Sequence, residues 1–196
     1  FWLKRRIPLP RATFEGLTPL GMDSRKVKLT VDVLVFHLAG DELQLLTITR
    51  GRNPFQGCLA LPGGFVEEGE DIEIAAAREL AEETHVEGLQ LLQVGAFGKP
   101  DRDPRGRVVS VAFLAFAPDA ACQADDDAAT ARFQSVRELM GRQWAFDHAE
   151  IVAAALKLAC LHAEAKRLAP LLPKGTDEAL AARALSECLQ ALHSGA

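Results

Sequence analysis

The sequence predicts an α/β fold, a mixed β-sheet with helices packed on it. Three observations carry this. An apolar, β-rich run occupies residues 27–37; helical spacing governs residues 71–84 and returns after Asp147; and strand patterns reappear at 88–96 and 107–117. Strands and helices therefore intermix without the strict alternation of a parallel βαβ fold.

Taken in order, VKLTVDVLVFH (27–37) reads as a buried strand, and Ala39-Gly40-Asp41 is a turn signal leading to its hairpin partner, 43–49. A polar loop, 50–58, precedes LALPGGF, a short strand entering a Pro-Gly-Gly turn. Asp71 is an N-cap for a helix to about Thr84. Ile74, Ala77, Leu80 and Ala81 are expected on its core-facing side. The strands 88–96 and 107–117 flank a charged loop, GKPDRDPRG, and the acidic, alanine-rich stretch 118–130 reads as a surface loop. A long helix starts near Asp147, which has capping-box spacing to Glu150, and Pro170 and Pro173 are expected to end it. Residues 177–192 read as a last amphipathic helix.

The 196 residues, 48% hydrophobic and 25% charged, suit one globular domain with an appendage. The division expected is an extension over 1–24, a domain over 25–169 and a helical tail over 170–196. Met22, before the first strand, is a sensible natural start. Cys58, Cys122, Cys160 and Cys188 are too scattered for a zinc or redox pair and read as reduced thiols of a cytoplasmic protein. No apolar run approaches the ~18 residues of a membrane helix, so no membrane partner is expected. A net charge of −5 argues against nonspecific nucleic-acid binding.

The informative segment is GFVEEGEDIEIAAARELAEETHV, residues 64–86. Glu79, Glu82 and Glu83 stand at i, i+3 and i+4 and share one helix face. Residues 71–86 hold five acids and a single base, Arg78, whereas solvated glutamate-rich helices usually interleave cations. Like charges at this spacing each cost a few tenths of a kcal/mol, a repulsion that a hard divalent cation relieves. The spacing alone leaves both readings open, a solvated helix or a Mg²⁺ or Mn²⁺ site. The Gly63-Gly64 turn before the helix lets backbone approach an ion or phosphate, though most such pairs are only turns.

The segment resembles the Nudix box, G-x5-E-x7-R-E-U-x-E-E-x-G-U, with U aliphatic. Gly64, Glu70, Arg78, Glu79, Leu80, Glu82, Glu83 and Val86 match at the required spacing. His85 stands in place of the last glycine, which ends the helix in a left-handed conformation, so this departure bears on stability more than on chemistry. The resemblance to the family's α/β/α sandwich with a mixed central sheet extends over about residues 25–168. It implies a hydrolase that cleaves the diphosphate linkage of a nucleotide derivative. Its implied ligands for Mg²⁺ (or Mn²⁺) are Glu79, Glu82, Glu83 and the Gly64 carbonyl, with Glu70 paired to Arg78. The family draws its general base from Glu82, Glu83 or a later loop acid; Asp125, Asp126 and Asp127 occupy a suitable loop or are plain solvated acids.

VDVLVFHL, GCLALPGGFVEEGED, RDPRGRVVSVAFLA and FDHAEIV further resemble the bacterial ADP-ribose pyrophosphatase branch. Pro100 lies near where ADP-ribose-cleaving members carry a proline, and Arg102, Arg105 and Arg107 are candidates for holding substrate phosphates. Members of this branch are often homodimers. Related NAD-metabolism repressors share the core and append a DNA-binding winged helix, which makes an ADP-ribose-sensing regulator the alternative. The tail argues against DNA: Lys174 and Arg183 face Asp177, Glu178 and Glu187, and the stretch is short for a winged helix. Leu180, Ala184, Cys188 and Leu192 form a strip suited to burial.

Overall fold

The computed structural model describes residues 26–118 and 131–194. The extension over 1–24, Met22, Cys122 and the Asp125–Asp127 candidates for a general base lie outside the described residues.

The first strand, β1 (Lys28–Ala39), is the spine of the molecule. It turns through Gly40-Asp41 into β2 (Glu42–Thr49), with Ala39 opposite Glu42. Gly40 has φ 64°, the conformation a two-residue hairpin requires at that place. β3 (Leu59–Ala60) and β4 (Gly63–Phe65) follow, and then α1 (Ile72–Thr84). β5 (Leu92–Phe97) and β6 (Val108–Phe116) form an antiparallel pair. After the acidic stretch come β7 (Ala131–Ser135), a single-turn α2 (Val136–Leu139), α3 (His148–Glu164) and α4 (Glu178–Ser194). The main strand order is β3-β2-β1-β6-β5, with β4 beside β1 and β7 beside β2. Only β1 and β6 run parallel among the paired strands, so the sheet is mixed as expected.

The spine is apolar because both of its faces are covered. Val31, Val33 and Val35 pack with Ala75, Ala76 and Leu80 of α1, while Leu34 and Phe36 pack with Ile151, Ala155 and Leu156 of α3 and Leu185 of α4. This is the α/β/α sandwich. α4 packs in the same core cluster as α3.

Local details correct several expectations. The inward face of α1 carries Ala75, Ala76, Leu80 and Thr84, whereas Ile74 is 63% exposed and Ala77 faces solvent. Two adjacent alanines let the helix sit close to the sheet, and that rotation turns Glu79 and Glu83 inward rather than away from the core. Asp147 precedes α3 but makes no side-chain cap, because Arg102 takes its carboxylate; Glu150 pairs with Lys99 instead. α3 ends at Glu164, before either proline, and Lys166 turns the chain at φ 55°. The buried stripe of α4 is Ala181, Ala184, Leu185 and Cys188, so Leu180 and Leu192 stand at its margins. β7 and α2 carry no signal in the sequence: five residues with one bulky apolar side chain, then one helical turn. No helix among the described residues is long and apolar enough to cross a membrane.

Candidate functional site

The turn between β3 and α1 builds one wall of a cleft of about 640 Å³. Leu61-Pro62-Gly63-Gly64 lies against the start of β1, with Gly63 opposite Asp32 and Gly64 opposite Val31. Gly63 has φ 152°, and a Cβ there would collide with the Val31 carbonyl, so glycine is required on two counts. A Cβ on Gly64 would lie 2.5 Å from the Glu79 carboxylate, which therefore rests on bare backbone.

α1 delivers the carboxylates to that turn. Glu83 accepts a hydrogen bond from the Gly63 N–H at 2.9 Å. Burial pushes the Glu83 carboxyl up to about 7; the neighbouring Glu79 charge adds to the rise and the Gly63 N–H opposes it. Arg78 forms a two-pronged pair with Glu70, Nε to Oε1 at 2.8 Å and Nη2 to Oε2 at 2.9 Å, and also donates to the Phe65 carbonyl. The loop is thereby tied to the helix, and the Glu70 carboxyl is held down at about 2 by the Arg78 hydrogen bond and the Glu67 N–H. Arg78 Nη1 reaches Glu79 at 2.9 Å and the exposed Glu82 at 3.4 Å.

Among the described residues, no three acidic, imidazole or thiol groups stand ready-made around one ion position. The donor chemistry nevertheless fits a hard divalent cation. Glu79, Glu82 and Glu83 line one cleft with Gly63 and Gly64, all offering oxygen. A guanidinium already lies between Glu79 and Glu82, while Glu83 is withdrawn from water beside the Glu79 charge, which the more distant charge of Arg50 only partly offsets. Gathering the three requires Glu79 and Glu82 to turn from Arg78, which Glu70 retains.

The opposite wall is cationic and aromatic. Arg50 donates from Nε to the Pro54 carbonyl at 2.9 Å and lies over the Phe146 ring at 4.8 Å. Burial, and then the charge of Arg105, lowers its pKa. Arg105 also lies over the Phe146 ring, 5.4 Å from its centroid, as well as over Phe65, and is paired with Asp103 at 2.7 Å.

The three expected phosphate-binding arginines go to different places. Arg105 lines the cleft with its charge balanced by Asp103. Arg102 reaches the same cleft but is only 7% exposed; its guanidinium grips Asp147 at 2.6 Å and approaches Asp32 at 3.5 Å. Burial works against its charge, yet the Asp147 hydrogen bond and the Asp32 charge raise its pKa overall. Arg107 is spent on the Gly98 and Lys99 carbonyls and, like Pro100, does not line the cleft.

The cleft is also lined by a buried polar pair that sequence reasoning missed, Asp32 and His148. Asp32 accepts from the Ser110 hydroxyl and faces His148 Nε2 at 3.4 Å, while His148 Nδ1 accepts from the Leu61 N–H at 2.9 Å. Asp32 did carry a signal: one acid inside a strand apolar on both faces is costly unless paired. Arg50, at the end of β2, carried none. A separate cleft of about 490 Å³ between α2, α3 and α4 is lined mainly by apolar side chains, with Arg142 its single charged residue.

Similarity to known proteins supports the same frame. The chain is 44% identical over 109 residues to an ADP-ribose pyrophosphatase of Methanocaldococcus jannaschii, covering 56% of this chain and 63% of that protein. It is 32% identical over 127 residues to an ADPR-responsive transcriptional repressor, NtrR, of Acinetobacter baylyi, covering 63% of this chain and 51% of the other. The chain thus spans less than two-thirds of either curated relative. The NUDIX domain of Shewanella oneidensis NrtR, solved with ADP-ribose, superposes with a TM-score of 0.61 at 30% identity, over 67% of this chain and 88% of that one. The NUDIX domain model matches residues 28–155, the sheet, the carboxylate helix and the first two turns of α3 together, and the chain belongs to that family.

Proposed function

We propose that this protein hydrolyses the diphosphate linkage of a nucleoside diphosphate derivative in a Mg²⁺-dependent reaction, with ADP-ribose the preferred substrate and AMP and ribose 5-phosphate the products. The observation that carries the reading is the cleft itself, with clustered carboxylates on a glycine turn facing two arginines on one aromatic ring. The resemblance to an ADP-ribose pyrophosphatase supports the substrate.

When bound at Glu79, Glu82, Glu83 and the Gly64 carbonyl, a divalent cation (Mg²⁺, or Mn²⁺ in its place) offsets diphosphate charge and favours ionisation of water. The chain's own residues do the rest. Arg50 and Arg105 hold the anionic substrate across from the glutamates, where guanidinium donors match phosphate oxygens. Phe146 keeps both guanidinium planes in place. Water attacks one phosphorus, the bond to the bridging oxygen breaks, and the proton of the water passes to Glu82 or Glu83. Assembly as a cytoplasmic homodimer belongs to the same proposal.

The test compares kcat/KM for ADP-ribose, 8-oxo-dGTP, diadenosine polyphosphates and GDP-mannose with Mg²⁺. ADP-ribose is expected to lead, with AMP and ribose 5-phosphate released in equal amounts. A preference for any triphosphate would overturn the substrate. The kinship to repressors favours a second reading, an ADP-ribose-sensing regulator. It would show as saturable ADP-ribose binding without turnover.

A further inference from the structure

The geometry points to the Asp32–His148 pair, nearly buried in the lining of the cleft, as a positioning device that fixes the Leu61–Gly64 turn and so sets where Glu83 and the Gly64 backbone would meet a cation. The inference rests on the proposed Mg²⁺-dependent hydrolysis.

His148 opens α3 on the far side of the turn from α1 and is only 3% exposed. Its ring is held against Phe146, centroids 5.4 Å apart. Because Nδ1 accepts from the Leu61 N–H, it carries no hydrogen, so the neutral ring must bear its hydrogen on Nε2. That nitrogen faces Asp32 Oδ1. Asp32 is fixed in turn by the Ser110 hydroxyl and by Arg102, whose main partner is Asp147, the residue before His148. The imidazole therefore has one tautomer and one orientation, and both point its lone pair at the turn.

The turn is held at three consecutive residues. His148 binds the Leu61 N–H, the Val33 N–H binds the Pro62 carbonyl at 2.8 Å, and Glu83 binds the Gly63 N–H. A single residue, Pro62, separates the histidine's contact from that of the glutamate, and Gly63 packs so closely on the Val31 carbonyl that a Cβ there would collide with it. A displaced Leu61 must carry Gly63 and Gly64 with it. Residues that orient the groups around a metal typically alter affinity or turnover 10–100-fold when removed.

The test uses the full chain with three replacements. His148→Asn keeps an acceptor near Nδ1; His148→Gln keeps a donor near Nε2 but loses the acceptor; His148→Leu loses both. Three quantities are read: Mn²⁺ affinity without substrate, amide exchange at Leu61 and Gly63, and kcat and KM for ADP-ribose. Gln and Leu are expected to weaken Mn²⁺ binding and lower kcat at least about tenfold, with KM changed less than about threefold and both amides exchanging faster. Asn should recover most of the loss. Asn and Leu equally impaired would reduce the histidine to packing and overturn the inference, as would wild-type Mn²⁺ affinity and amide protection in folded Gln and Leu variants. A wild type that binds Mn²⁺ but cleaves nothing sinks the hydrolase reading alone, since affinity and exchange still decide this one. If the variants do not fold, ¹⁵N spectra of wild-type His148 decide: hydrogen on Nε2 supports the arrangement and hydrogen on Nδ1 overturns it.

Discussion

Glu83 is a liability to the fold before it is an asset to the site. Its carboxyl is withdrawn from water beside Glu79, and one backbone N–H is its main compensation. Glu83→Gln keeps an acceptor for the Gly63 N–H and removes the buried charge, so the variant should be more stable than wild type in a chelator at pH 8, by about 1 kcal/mol. Its turnover should fall by at least about 10²-fold with the fold intact, because the cation loses a ligand. Thermal unfolding and steady-state kinetics on the same preparation check both; a folded variant with near wild-type turnover would remove Glu83 from the site. His85 is the converse case. It ends α1 at φ 58° with its N–H on the Ala81 carbonyl, the left-handed turn that glycine adopts without strain. His85→Gly should be neutral or stabilising by up to about 1 kcal/mol, read from the unfolding midpoint. A large loss of stability would assign the ring a contact of its own. Both residues were legible in the sequence, since the motif spacing marks them. Asp32, His148 and Arg50 were harder to find, because each acts through partners 87 to 116 residues away that meet only once the sheet has formed.

Elements were legible where periodicity and packing agree. β1, β2, α1 and β6 are long and regular enough for their pattern to survive, and each was anticipated within a few residues, as was the start of α3. β7 pairs with β2 over Gln44–Ile48 but offers one large apolar side chain, Phe133, so its existence depends on an edge already present. Helix rotation was the other weak point. Two of the four positions expected inward on α1, Ile74 and Ala77, face outward while Ala75 and Ala76 face in, and the sheet rather than the helix decides. α4 shows the same effect by a single residue. Leu185, fully buried against α3 and the sheet, carries more of its packing than Leu180 or Leu192. Leu185→Ala should therefore cost about 2–5 kcal/mol in denaturant unfolding, and Leu192→Ala much less. Equal small losses would mean that α4 is only loosely attached to the core.

At the scale of the whole molecule, the proposed cation site is a product of folding. The carboxylates come from α1, and the Gly63-Gly64 backbone that meets them is held by β1 through a strand pairing and by α3 through His148. In the unfolded chain nothing holds these groups together, so a divalent cation held there would bind the native state in preference and would stabilise it by mass action. At a concentration ten times its dissociation constant, Mg²⁺ should add about 1.4 kcal/mol, which for a chain of this size raises the unfolding midpoint by roughly 3–6 °C. The stabilisation should be larger for Mn²⁺ at equal concentration, since nitrogen- and oxygen-containing sites bind transition metals more tightly. It should be abolished by excess chelator. It should also vanish in Glu83→Gln, which is already relieved of the charge the cation would neutralise. Scanning calorimetry of wild type and variant, each with chelator and then with Mg²⁺ or Mn²⁺, separates these cases in one series. An unfolding midpoint unmoved by either cation at millimolar concentration would show that Arg78 alone serves as the counter-charge, and that the cleft binds its anion without metal.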